Sequence, residues 1–278
     1  MKTIIQKTLW LLLIAAAASS CAKEKDPCNP NDRESPCYSG HPDTGPSSGN
    51  LLLTEQKLNG VTIAKYEYND QNQLITEHLF DEEGADAGSI SYTYNASGLL
   101  SVANHSIPGL GNFRRETYTY ADGNKPVSMI QTSPDDPNIP AMNFQYTYEN
   151  DRLVSETGIS TGEDKTVITM NYTYDSNGNL IMWEQFANNT LHTTLEYGDY
   201  DNQKAISMYG NPYFWKALNS NVNNPRAEKV TSQTTTVNRD LTVTFSYNGS
   251  GYPVKAEAYD RASKALVETR ECVYKSAN

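Results

Sequence analysis

The chain has 278 residues, with 22 basic and 33 acidic side chains and a formal net charge of −11. Nucleic-acid partners need a basic surface, and so do anionic lipid headgroups, so this balance excludes both as principal ligands. No nucleophile elbow, P-loop, dinucleotide fingerprint or His-Glu-x-x-His phrase occurs, so no cofactor or metal is expected from a motif.

Residues 1–20 read as a signal peptide. Lys2 and Lys7 form a basic start, and Leu11 to Ala18 is an apolar core too short to span a membrane as a mature helix. Ala18-Ser19-Ser20-Cys21 resembles the lipobox of bacterial lipoproteins, which makes Cys21 the candidate lipidation site. The following Ala22-Lys23-Glu24-Lys25-Asp26 resembles the charged signal that sends some lipoproteins to the outer face of the outer membrane. The resemblance implies a cell-surface protein held to the membrane only by its lipid. Cleavage before Cys21 leaves 20 basic against 33 acidic side chains, a net charge of −13. Residues 21–50 are rich in Pro, Ser, Gly, Asn and Asp without apolar periodicity, and read as a disordered tether. Its Cys28 and Cys37 either pair locally or stay as thiols. Cys272 falls inside a strand and is expected to be buried.

From residue 51 the pattern is all-β. Residues 51–58 and 61–68 flank Asn59-Gly60, a tight-hairpin signal. Further strands are predicted near 73–80, 88–94, 98–105, 114–120, 125–132, 142–148, 152–159, 166–174, 179–187, 190–197, 228–237, 240–247, 252–260 and 265–274. Short Asn/Gly turns alternate with longer acidic or Pro-rich connections, so the two kinds should line opposite ends of the sheet. Thr, Glu, Lys, Asn and Gln occupy the alternate strand positions, and mean hydropathy is −0.63. Both facts count against a barrel whose outer face lies in lipid.

One phrase recurs through these strands. Tyr92-Thr-Tyr94-Asn-Ala-Ser-Gly98-Leu-Leu100 returns as Tyr172-Thr-Tyr174-Asp-Ser-Asn-Gly178-Asn-Leu180. Weaker copies place the second aromatic at 68, 120, 148, 197, 247 and 274. A period of this size marks a repeat architecture. The two Tyr share a strand face, and Asn or Asp with Gly supplies the turn. The phrase resembles the YD repeat of Rhs-type shell proteins, and more closely bacterial surface lipoproteins with degenerate YD-like repeats, a domain family of unknown function. The resemblance covers roughly 51–278 and implies a curled antiparallel meander of hairpins, barrel-like or shell-like, with no catalytic residue. The 50 residues between positions 197 and 247 read as two units, one remodelled by an insertion at 209–226.

In that insertion Asn211 and Pro212 are expected to start a short helix over 213–218. Tyr209, Tyr213, Phe214 and Trp215 are the candidate ligand-binding residues, because such rings stack on sugars. The competing role is a plug of one end of the shell, which four clustered rings favour. His78, His105 and His192 sit on separate strands and are expected to be partly exposed rather than metal ligands. The acidic run Asp81, Glu82, Glu83, Asp86 reads as a solvated loop. The expectation is a lipid-anchored, non-enzymatic binding or scaffold protein, its ligand a glycan or partner protein. The rival is a polysaccharide-acting hydrolase, for which no carboxylate pair can be singled out.

Overall fold

The computed structural model describes residues 51–205, 211–233 and 238–277. The signal peptide, Cys21, the tether cysteines and Tyr209 lie outside them. Among the described residues sixteen strands follow one another. They are β1 (Leu51–Leu58), β2 (Val61–Tyr68), β3 (Leu74–Phe80), β4 (Asp86–Tyr94), β5 (Leu100–Ile107), β6 (Gly111–Tyr120), β7 (Pro126–Thr132) and β8 (Met142–Glu149), then β9 (Arg152–Ser160), β10 (Val167–Tyr174), β11 (Leu180–Ala187), β12 (Thr190–Gly198), β13 (Ala227–Ser232), β14 (Arg239–Tyr247), β15 (Pro253–Asp260) and β16 (Leu266–Ser276). Each pairs antiparallel with its neighbours in sequence, and β16 pairs with β1 to close a barrel. Closure removes the sheet edges that a meander of this length would otherwise expose.

Local chemistry builds each turn of the repeat. The residue after the second Tyr accepts two backbone N–H bonds through its side-chain oxygen: Asn95 from Ser97 and Leu99, Asp175 from Asn177 and Asn179, Asn248 from Ser250 and Tyr252. These Asx turns explain the fixed Asn or Asp of the phrase. A β-bulge then follows at the same place in unit after unit. Tyr94 faces Leu100 while Thr93 faces Val102, leaving Ser101 as the extra residue, and Ile75, Val127, Val154, Ile181 and Val254 occupy the equivalent place. The bulge shifts the pleat, so Leu100, Ala103 and His105 all face inward.

The second Tyr of each unit bonds backward. Its hydroxyl donates to the carbonyl of the residue just before the bulged residue of the preceding unit: Tyr94 to Leu74 (2.6 Å), Tyr120 to Leu100 (2.8 Å), Tyr148 to Pro126 (2.9 Å) and Tyr174 to Leu153 (2.7 Å), whereas Tyr247 donates to the Asp201 carboxylate. Tyr68 reaches Leu53 and Tyr274 reaches Pro253, both at 2.7 Å. The sixth rung is Tyr200, which bonds to Leu180; Tyr197, the residue expected there, is an inward core residue of β12. Tyr200 lies 26 residues after Tyr174, so the spacing is more regular than the phrase alone suggested. The long interval to Tyr247 is therefore one unit, β12 and β13, with its short turn expanded into the insertion, and not two units.

Closure uses a divided unit. Tyr274 faces Leu53 while Val273 faces Glu55, with Thr54 as the extra residue. This is the register and bulge found inside the other units. β1 is thus the missing second strand of the last unit, supplied by the other end of the domain.

Along the strands buried and exposed residues alternate. Lys65, Glu67, Ser91, Thr93, Arg115, Thr117, Thr119, Asn143, Gln145 and Thr147 face outward and are exposed. The inward residues form two apolar clusters, a large one on β3 to β13 joined by Trp215 and Ala217, and a smaller one on β14 to β16 with buried Cys272. A round sixteen-stranded barrel would leave a wet lumen. Here inward rings and the insertion pack into it. Gly158 belongs to this packing, since a Cβ there would stand 2.5 Å from the Phe144 ring.

Candidate functional site

The first Tyr of each unit points inward and looks for an acceptor on the unit before it. Tyr66 donates to Gln56 (2.6 Å), Tyr92 to Glu77 (3.0 Å) and Tyr172 to Glu156 (2.5 Å), all three acceptors holding the same place in their units. Where that place is Ala103, Tyr118 turns to Glu116 of its own strand (2.5 Å). Where it is Met129, the Tyr146 hydroxyl is left buried without a hydrogen-bond partner. The polar lining of the interior thus follows from which residue each unit places two beyond its bulged residue.

The insertion docks onto this lining. Asn211 accepts from the Tyr213 backbone N–H (2.8 Å), as expected of a cap, but an irregular turn follows and one 3-10 turn, Ala217–Asn219, replaces the expected helix. Trp215 is 2% exposed and packs edge-on against Tyr146, with ring centroids 4.8 Å apart, and against Tyr118 at 5.8 Å. Tyr213 packs against Tyr92 and Tyr118 and donates its hydroxyl to Glu116 (3.1 Å). The Lys216 ammonium lies over both the Tyr213 and Trp215 rings and 4.0 Å from Glu156. Phe214 alone of the described candidates is exposed, at 38%. Burial of Trp215 matches a plug; its face is not open to solvent.

Glu116 is the electrostatic centre. Burial pushes its carboxyl upward, yet Arg114 (3.2 Å), His105 (3.4 Å) and Lys216 outweigh burial and hold it well below the ordinary value. His105 was expected to be partly exposed; it is buried, and burial lowers its pKa. The tautomer that accepts from Arg114 at Nδ1 (3.1 Å) and donates from Nε2 to Glu116 satisfies both neighbours. Glu77 has no such cation, and burial raises its carboxyl, partly offset by the Tyr92 hydroxyl. Burial likewise drives Tyr92, Tyr118, Tyr146, Tyr172 and Tyr213 well above the usual phenol range, so all keep their hydroxyl proton. A second inward network runs from Glu228 through Arg239 and Glu268 to Arg270. Its members lie on β13, β14 and β16, too far apart in sequence for spacing to suggest them.

Among the described residues no group of three or more His, Cys, Asp and Glu could hold a metal ion. His78, His105 and His192 stand on β3, β5 and β12, as the strand assignment implies. In the acidic loop Asp81 accepts from the Glu83 and Ala85 backbone, which fixes a turn.

These features define a class: a sixteen-stranded antiparallel barrel with rings and an insertion packed inside it, and with an outer face that is polar on β2, β4, β6 and β8 and carries exposed apolar residues on β7, β9 and β16. No protein-family model matches the chain, and no curated protein matches its sequence. Among solved structures it resembles a porin-like protein from Bacteroides uniformis ATCC 8492, with 14% identity over 84% of this chain and 99% of that one and a TM-score of 0.51. A porin-like protein from Bacteroides vulgatus ATCC 8482 is 11% identical over 81% of this chain and 99% of that one, with a TM-score of 0.44. The Tc holotoxin pore of Photorhabdus luminescens is 14% identical over 77% of this chain but 14% of the toxin chain, with a TM-score of 0.27. At such identities the likeness is one of fold.

Proposed function

We propose that the protein is a surface lipoprotein of the YD-like repeat type, anchored at Cys21, whose barrel is a non-enzymatic binding or scaffold module in water. The observation that carries this reading is the reversal of the membrane-barrel pattern. The outward residues Lys65, Glu67, Ser91, Thr93, Arg115, Thr117, Asn143 and Gln145 of β2, β4, β6 and β8 are polar and exposed, while rings and the insertion pack inside. Outward apolar residues such as Ile130, Ile159 and Val267 are interspersed on other strands and do not interrupt the polar pattern on β2, β4, β6 or β8. A spanning barrel needs an apolar band outside. The buried carboxylates Glu116 and Glu156 are engaged by phenols and cations, which suits a structural role better than hydrolysis. With the interior occupied, the two rims and the outer wall are the surfaces left for a glycan or a partner protein. The test combines fractionation, surface proteolysis of intact cells and conductance of planar bilayers. Wild type should partition with membranes and be cleaved on intact cells, Cys21→Ala should lose the membrane, and purified protein should form no channels. Unchanged membrane association of Cys21→Ala, or reproducible channels, would refute the reading.

A further inference from the structure

Around the rim that carries the short turns, three of the units are stapled to the next. In each of these the residue two before the bulged residue donates to a turn carbonyl one unit on. Gln73 Nε2 donates to Gly98 O (3.0 Å), Lys125 Nζ to Asp151 O, and Arg152 Nη1 to Gly178 O (2.6 Å). The staple needs one N–H, and glutamine and lysine supply it. Arg152 brings five N–H donors in a rigid fork. Its guanidinium also lies over the Tyr174 ring, 5.4 Å from the centroid. The guanidinium lies directly against Gly178, whose φ of +86° suits glycine in the turn. The fork is therefore held in place before any ligand arrives.

It is held beside a groove of about 460 Å³ between the β8–β9 and β10–β11 turns, lined also by Glu149, Asn150, Ser176 and Asn177. Those four side chains are exposed. The volume falls in the range of small-ligand sites. The lining mixes fixed donors with carboxylate, amide and hydroxyl groups. Sugar hydroxyls both donate and accept, so they suit such a set. An acidic sugar would meet Glu149 and a strongly negative chain. We infer that this groove is a binding site for a neutral saccharide, with the Arg152 fork and the amides of Asn150 and Asn177 bonding adjacent hydroxyls. The inference rests on the binding reading above and gives it a place and a ligand class.

The experiment is a titration of the isotope-labelled soluble domain with cellobiose, maltose, mannobiose, xylobiose and a glucuronate-containing disaccharide, to about 10 mM, followed by amide chemical shifts. One neutral disaccharide should move the signals of residues 149–152 and 174–178. Arg152→Lys keeps the staple and the ring contact, as Lys125 does over Tyr148. It should weaken that binding at least about tenfold with an unchanged melting temperature. No shifts with any sugar, wild-type affinity in Arg152→Lys, or preference for the glucuronate would overturn the inference. Shifts confined to Phe214 and its neighbours would overturn the groove while leaving the binding reading standing. Channel formation or loss of surface exposure would strike that reading independently of the titration.

Discussion

Trp215→Ala tests whether the insertion is part of the folded core. The indole is 2% exposed and is wedged between Tyr118 and Tyr146. A buried Trp removes about 200 Å² from water, worth roughly 5 kcal/mol at about 25 cal/mol per Å². One term reduces the loss. The Trp215 Nε1–H is buried without an acceptor, and deleting an orphan donor regains about 1–2 kcal/mol. The net expectation is a destabilisation of about 3–4 kcal/mol, inside the usual span for large aromatic deletions. Trp215→Phe keeps an edge-on ring and removes the orphan, so it should cost less than about 1.5 kcal/mol. Urea unfolding of both variants measures the difference. Iodide quenching of wild type against Trp215→Phe isolates this ring from Trp183 and should find it protected. A loss below about 1 kcal/mol for Trp215→Ala, or strong quenching, would refute the plug and return Trp215 to the surface.

The repeat tyrosines should act as structural rungs. Tyr94→Phe and Tyr120→Phe each remove one hydroxyl bonded to a strand carbonyl and should each cost about 1 kcal/mol. Leu100 both faces Tyr94 and accepts from Tyr120, so the two sites are coupled and the double variant should depart from the sum in chemical denaturation. Two inward glutamates should respond to pH in opposite senses. Glu116 lies below the ordinary 4.5 when folded, so its stabilisation is full above that value and fades as pH falls through its folded pKa. Glu116→Gln should therefore melt lower than wild type at pH 7, with the gap closing in acid. Glu77 is raised by burial, so its favourable contribution exists below 4.5 and is lost as pH rises through its folded pKa. Glu77→Gln, which still offers Tyr92 an acceptor, should melt no lower than wild type at pH 7; a large drop in its scan would contradict the assignment. Finally, a permuted chain that starts at Val61 and carries 51–58 after residue 277 through a short turn makes the divided unit continuous. It should keep the barrel by circular dichroism and melt within a few degrees of the parent, whereas deleting 51–58 should expose two edges and aggregate.

What the sequence settled by itself was local. Strand positions, the alternation of short and long connections and the turn chemistry of Asn95 or Asp175 depend on residues within a few places of one another. They were legible to within two or three residues at most strand ends. The Asn211 cap was legible for the same reason, but the helix beyond it was not, because packing of Tyr213 and Trp215 on the wall overrides a short helical preference. Tertiary structure decided the rest. Tyr200 rather than Tyr197 continues the ladder because only one hydroxyl reaches the Leu180 carbonyl across the bulged strand. His105 and Glu116 look like ordinary strand residues, and only the pleat shift on β5 and the closed wall bring them together with Tyr213, 97 residues from Glu116. The pairing of β1 with β16 left no trace in either segment, since their contacts join the two ends of the domain. Hydrogen-bond register between distant strands is set by the curl that sixteen bulged and twisted strands accumulate, a property of the whole ring that no single stretch of sequence contains.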